Sequence, residues 1–215
     1  MGFDKYKLVT VEGNTGAGKT SLAKMLAQQY GGRLILEEFA DNPFLPKFYA
    51  EPEKYAFHTE MYFMLDRYRQ LTDFIQSEHS KTGLTISDYI FRKSLLYAAV
   101  NLQPDEYSLF ERMFNTVYPN LPQPELIIYV HATVPRLIRN IQKRGRDFEQ
   151  QVRESYLKRV EKIYFDYFRN NPHLRVLIIH ADDLDFVQEP EHYEQILEWI
   201  VKDYPAGIHE VFIQP

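Results

Sequence analysis

The sequence predicts a three-layer α/β domain, with a parallel sheet between two sets of helices. Three observations carry that expectation. Strand and helix patterns alternate along the 215 residues, as expected for parallel strands joined by helical crossovers. Leu126-Ile127-Ile128-Tyr129-Val130 and Val176-Leu177-Ile178-Ile179 are near-continuous apolar runs, the pattern of strands buried on both faces. Gly13-Asn14-Thr15-Gly16-Ala17-Gly18-Lys19-Thr20 fits the phosphate-binding pattern G-x-x-x-x-G-K-[ST], which has meaning only between a strand and a helix.

The elements follow in order. Tyr6 to Val11 is apolar and β-branched and reads as the first strand. Ser21 to Gln29 reads as a helix, with Leu22, Met25 and Leu26 on one face. Four further strands are expected at Arg33 to Glu37, Gly83 to Asp88, Glu125 to His131 and Leu174 to His180. Helical periodicity marks roughly 55 to 79, 90 to 101, 105 to 118, 134 to 144, 149 to 169 and 191 to 202. Pro119, Pro122 and Pro124 punctuate the approach to the fourth strand. No repeat, low-complexity tract or linker divides the chain, so residues 1–215 read as one domain.

Composition narrows the function. Hydrophobic content of 45% and charged content of 26% are ordinary for a globular protein. The net charge of −5 argues against a broad basic face for polymeric nucleic acid. No cysteine is present, which removes disulfides, thiolate metal sites and a cysteine nucleophile. That usage suits the cytoplasm. No apolar run approaches the roughly 18 residues of a membrane span, and Met1 to Lys7 is too polar for a signal peptide.

The chemistry is concentrated at strand ends, because ligands of such sheets bind beyond the carboxyl ends of the strands. In the loop, glycines let backbone N–H groups crowd around phosphate oxygens, and the helix N-terminus adds partial positive charge. Lys19 would reach the terminal phosphates and the Thr20 hydroxyl would sit on Mg²⁺. Asp88 ends the third strand, either as a second Mg²⁺ ligand or as the cap of the helix from about Ile90. Glu37 and Glu38 end the second strand. Adjacent strand residues face opposite sides, so at most one serves as a base for an attacking hydroxyl. Arg136, Arg139, Lys143 and Arg144 share one helical face, and Gly145 breaks that helix before Arg146. This cluster reads as a lid, near 136–150, that brings cations over a transferring phosphoryl group.

Two stretches carry a family resemblance. Glu37-Glu38-Phe39-Ala40-Asp41-Asn42-Pro43-Phe44-Leu45-Pro46-Lys47-Phe48-Tyr49 and Lys143-Arg144-Gly145-Arg146-Asp147-Phe148-Glu149-Gln150, together with the phosphate loop, resemble the deoxycytidine, deoxyguanosine and deoxyadenosine kinase group. The likeness runs to about residue 187. It implies a P-loop kinase fold, with a five-stranded parallel sheet flanked by helices, in a homodimer. It also implies Mg²⁺-dependent transfer of the ATP γ-phosphate to the 5′-hydroxyl of a deoxynucleoside, in line and without a covalent intermediate. The implied donor site is Gly13, Asn14, Thr15, Gly16, Ala17, Gly18, Lys19, Thr20 and Ser21, joined by Arg144. The turn Ala181 to Phe186, with Asp183, would contact the donor adenine. Glu37 falls on the catalytic base, Tyr49 and Glu149 on the pair holding the sugar 3′-hydroxyl, and Arg144 and Arg146 on lid arginines. A further lid arginine of some relatives is Asn140 here.

Glu60 falls where relatives use a Gln to read the base, beside Arg67. Tyr55, Phe57, Tyr62 and Phe63 would help line the nucleoside pocket, and Asp88 would complete it. Two departures stand out. Relatives carry acid-Arg-Ser after the third strand, whereas this chain has Asp88-Tyr89-Ile90, leaving Arg92 or Arg146 to replace that arginine. Position 94 is Ser where some relatives have Asp. Glu60 can accept from an amino group, which places a purine first, deoxyadenosine above the others. Two other readings remain: a nucleoside monophosphate kinase, which would need acceptor-site cations, and a nucleotide-binding partner subunit with little turnover.

Overall fold

A computed structural model describes residues 5–77 and 83–213; the end of the second expected helix, 78–79, lies outside them. The sheet contains β1 (Leu8–Gly13), β2 (Arg33–Ile35), β3 (Thr85–Ser87), β4 (Leu126–His131), β5 (Arg175–His180) and β6 (Gly207–Phe212). All neighbours are parallel, in the order β2-β3-β1-β4-β5-β6. The sheet therefore has six strands where the resemblance implies five. Gly207–Phe212 escapes the pattern because it is an edge strand: only Val211 is buried, and Phe212 is 71% exposed.

The helices are α1 (Lys19–Tyr30), α2 (Leu45–Ala50), α3 (Pro52–Gln76), α4 (Lys93–Asn101), α5 (Pro104–Val117), α6 (Val134–Arg144), α7 (Glu154–Arg169) and α8 (Pro190–Ile200). Strand alternation divides them into two layers. Val9 and Val11, Leu126 and Ile128, and Leu177 and Ile179 pack with Leu22 and Leu26 of α1, Leu137 and Ile141 of α6 and Ile196 of α8. Ile127, Tyr129, Val176 and Ile178 face the other way, onto Val160, Tyr164 and Phe168 of α7 and Leu96 of α4. A further cluster joins α3 to α4 and α5 through Met64, Leu71, Phe74, Leu95, Phe110 and Phe114.

Expected boundaries shift: β1 runs two residues later than expected, β2 stops at Ile35 and leaves Glu37 and Glu38 in the following loop, and two helices start late for local reasons. The helix expected from 90 starts at Lys93, after a turn in which the Lys93 N–H bonds the Ile90 carbonyl. The helix expected from 149 starts at Glu154, because Asp147–Glu149 forms a separate short 3₁₀ turn.

Candidate active site

The phosphate loop bridges β1 and α1. Gly13 has φ 151°, and a Cβ there would lie 2.5 Å from the Val130 carbonyl oxygen of β4. Gly16 has φ 86°, and its Cβ would lie 2.8 Å from the Leu137 carbonyl oxygen of α6. Both positions need glycine for conformation and for space. Asn14 is buried and structural: its side chain donates to the Leu157 carbonyl (2.8 Å) and accepts from the Thr15 N–H (2.9 Å). Lys19 Nζ donates to the Asn14 carbonyl at 3.1 Å. Burial, followed by the nearby Lys93 ammonium, lowers its pKa to about 8. A half-buried cation beside the backbone amides of a glycine-rich loop is the complement of a phosphate.

Asp88 links three elements. One carboxylate oxygen accepts from the Glu37 N–H at 2.8 Å and the other from the Thr20 hydroxyl at 2.5 Å. It does not cap α4, whose N-cap is Arg92. The oxygen pair from Thr20 and Asp88 fits a small, hard divalent cation. Buried Glu12 fastens the same region, accepting from the Ile90 N–H (2.9 Å) and the Tyr164 hydroxyl (2.9 Å).

Of the two adjacent acids, Glu37 turns inward. Arg67 donates to Oε1 at 3.0 and 2.5 Å, and Lys93 to Oε2 at 2.9 Å. Burial pushes the carboxyl up, but Lys93 and Arg67 outweigh it and hold the carboxyl well below the usual range. Glu38 is half exposed and lies 3.5 Å from Arg69. Arg67 also donates to the Ser94 hydroxyl at 2.7 Å.

Two cavities meet here. The first, of about 610 Å³, is lined by Gly16 to Ser21 of the loop, by Arg136, Arg139, Lys143, Arg144 and Arg146, and by Ala181 and Leu184 to Gln188. All five clustered cations therefore face it. Asn140 ties α6 to the loop through the Gly16 carbonyl (2.8 Å). Asp183 is a correction: it is exposed and outside the lining, while Asp185 takes its place and lies 3.8 Å from Lys143. The turn after β5 directs Leu184 and Phe186 inward and leaves Asp183 in solvent.

The second cavity, of about 110 Å³, shares Lys19, Thr20, Arg144 and Arg146 with the first. Thr15, Glu37, Tyr49, Glu60, Arg67, Asp88, Lys93 and Glu149 also line it. Glu149 is buried and accepts from Arg144 and, at 3.1 Å, from Arg146. The Arg146 guanidinium also lies 3.5 Å over the Phe39 ring. Tyr49 packs against Phe148, and burial beside the Glu149 charge raises its hydroxyl pKa well above the ordinary value. Glu60 accepts from Asn101 at 2.7 Å, and burial pushes its carboxyl up to about 7.

The aromatic lining differs from the expected set. Phe63 is present, but Tyr55 and Phe57 pack into apolar clusters and Tyr62 lines neither cavity. Phe39, Phe48, Tyr97 and Tyr156 take their places. Arg92 is absent as well. It lies among the Phe114, Tyr118 and Tyr167 rings and lines a cavity of about 900 Å³ at the opposite, amino-terminal end of the sheet. Sequence reasoning missed Lys93. Its signal was a lysine opening the otherwise apolar helix segment Lys93-Ser94-Leu95-Leu96.

A phosphate loop, a cluster of cations and an inward-turned carboxylate beside two joined cavities are the parts of a phosphotransferase of the α/β class. A deoxynucleoside kinase family profile matches residues 9–204. Among relatives, a deoxyguanosine kinase of Bacillus subtilis is 36% identical over 192 residues, covering 87% of this chain and 93% of its own. The Bacillus subtilis deoxyadenosine/deoxycytidine kinase is 28% identical, with 91% and 92% covered. A solved deoxyadenosine kinase from M. mycoides, with dCMP and dCDP bound, shares the fold: TM-score 0.77, 23% identity, 90% and 98% covered. The chain belongs to the deoxynucleoside kinase family, whose members are ATP-dependent phosphotransferases.

Proposed function

We propose that this chain transfers the ATP γ-phosphate, with Mg²⁺, to the 5′-hydroxyl of a purine deoxynucleoside. The observation that carries this reading is the junction of the two cavities, where Lys19, Thr20, Arg144 and Arg146 face both and Glu37 faces the smaller. ATP would occupy the larger cavity, whose volume lies in the usual 300–1,000 Å³ range of ligand pockets. Lys19 and the loop amides hold its phosphates. Thr20 and Asp88 hold Mg²⁺, which supplies charge neutralisation on the phosphate oxygens. Glu37 accepts the 5′-hydroxyl proton, and Arg144 with Arg146 offsets the charge of the transition state.

The deoxynucleoside would occupy the smaller cavity, with Tyr49 and Glu149 on the 3′-hydroxyl. At about 110 Å³ this cavity is narrow, and Arg144 and Arg146, both paired with Glu149, line it. The segment 136–150 would act as a lid of a single kinase domain, opening for the acceptor. Glu60 would read the base. An ionised carboxylate accepts from both N1–H and N2–H of guanine, whereas adenine offers it only the N6 amine. That argument, with the deoxyguanosine kinase relative at 36% identity, moves our preference from deoxyadenosine to deoxyguanosine. A monophosphate kinase would need cations for the acceptor's own phosphate; beyond the lid, Arg67 and Lys93 are already committed to Glu37.

The working form would be a cytoplasmic homodimer. Among the described residues, exposed Leu65, Tyr68 and Ile75 of α3 and Leu109 and Met113 of α5 offer apolar surface suited to a second copy. Steady-state ADP release with each of the four deoxynucleosides tests the function. Turnover with deoxyguanosine ahead of the others is expected. Hydrolysis without acceptor dependence, or turnover only with monophosphates, would reject it.

A further inference from the structure

The departure at Tyr89 leaves the site short of one arginine, and neither expected replacement fills the gap. Arg92 is at the far end of the sheet, with its guanidinium 5.5 to 5.6 Å from three aromatic rings. Arg146 is held by Glu149 and Phe39. Tyr89 is itself buried, and its hydroxyl donates to Gln70 at 2.7 Å.

Lys93 stands four residues later, at the first turn of α4. It is 3% exposed and lines the smaller cavity. Nζ donates to Glu37 Oε2 at 2.9 Å and lies 5.4 Å from the Tyr97 ring. A buried cation is costly unless paired. Glu37, however, already has a full partner in Arg67, which donates twice to Oε1. Lys93 therefore adds a second fixed contact, to the oxygen that Arg67 leaves free, in the wall of the smaller cavity.

We propose that Lys93 is the positioning residue that replaces the missing arginine. Arg67 fixes one oxygen of Glu37 and Lys93 the other. The carboxylate plane is thereby locked, and the remaining lone pairs point to the acceptor hydroxyl. A four-carbon stem rooted four residues further along, at the start of α4, does from position 93 what a guanidinium would do from position 89. The proposal deepens the reading of Glu37 as the base and rests on it.

The test is a two-by-two set of Lys93→Met and Glu37→Gln, with Lys93→Arg alongside. It reads kcat and KM for deoxyguanosine and ATP, and deoxyguanosine binding by calorimetry. Lys93→Met should lower kcat about 100-fold, on the scale of a lost acid–base contribution, with KM and binding changed less than roughly threefold. Lys93→Arg should recover kcat to within about tenfold of wild type. In the Glu37→Gln background, Lys93→Met should cost less than roughly threefold, because residues acting through one group are not additive. Lys93→Ala, which also removes the donor to Oε2, carries the same comparison if the Met variant does not fold. A near-normal kcat in the Met or Ala variant would overturn the proposal. So would an equal loss with and without the Glu37 carboxylate. Failure of the underlying reading has a different signature: no wild-type turnover with any deoxynucleoside, or full activity in Glu37→Gln alone.

Discussion

Glu60 should make this enzyme sensitive to pH in two measurable ways. The residue is 3% exposed, and burial lifts its carboxyl from the ordinary 4.5 to about 7, against the pull of the Asn101 hydrogen bond. The folded state therefore binds this proton more tightly than the unfolded chain. The resulting stabilisation is complete below about pH 4.5 and is lost as pH rises through about 7. At about 1.4 kcal/mol per tenfold in the equilibrium, the full span is about 3 kcal/mol. Glu60→Gln keeps the shape and the contact with Asn101 but cannot ionise. Relative to wild type, it should gain about 3 kcal/mol between pH 4.5 and pH 8. In a chain of this size that is a Tm difference of about 6 to 12 °C, measured without ligand. The second readout is specificity. Protonated, the carboxyl can donate to adenine N1; ionised, it can only accept, which favours guanine. The ratio of kcat/KM for deoxyguanosine over deoxyadenosine should rise from pH 6 to pH 8 in wild type and stay flat in Glu60→Gln. A stability difference independent of pH, together with a flat wild-type ratio, would remove Glu60 from both roles.

Three further outcomes are expected. Lys19→Ala should fold normally yet lose about 3 kcal/mol or more of transition-state stabilisation; near-normal ADP release would sink the phosphate-loop assignment. Glu37→Gln should reduce kcat roughly 100-fold while Glu38→Gln stays within a few-fold, and a reversal of the two in steady-state kinetics would exchange their roles. With Tyr49 and Glu149 on the 3′-hydroxyl, kcat/KM should be highest for 2′-deoxynucleosides and fall steeply for 2′,3′-dideoxynucleosides, which leave those polar groups unpaired. Equal use of guanosine and deoxyguanosine would argue against that placement.

How much of this was legible depended on whether the chemistry was written locally. The phosphate loop is contiguous, so its spacing alone located Lys19 and Thr20 between a strand and a helix. The cationic helix face was readable for a similar reason: Arg136, Arg139, Lys143 and Arg144 share a face by helical periodicity, and all line the larger of the two joined cavities. Of Glu37 and Glu38 it is Glu37 that turns inward, but both lie in the loop past β2, so its contacts with Arg67 and Lys93 chose it and strand alternation did not. What was not legible was decided by packing between distant segments. Tyr55 and Phe57 look no different in sequence from Phe63, but only Phe63 reaches the cavity. Tyr97 and Tyr156 come to the same wall from α4 and α7, which no local pattern connects. Asp183 and Asp185 are two residues apart, and the path of one turn chose between them. The sixth strand was hidden because an edge strand covers little core and needs little apolar sequence.

Lys93 belongs to neither group. Its residue type was conspicuous in an apolar helix, yet Arg92, its neighbour, was an equally good candidate by charge. Adjacent helix positions diverge by about 100°, following from 3.6 residues per turn. Once Leu95 and Ala98 bury α4 against α3 and α5, one of the two cations must face the carboxyl ends of the strands and the other must leave. Helix orientation, set by core packing far from any phosphate, thus selected which cation meets Glu37.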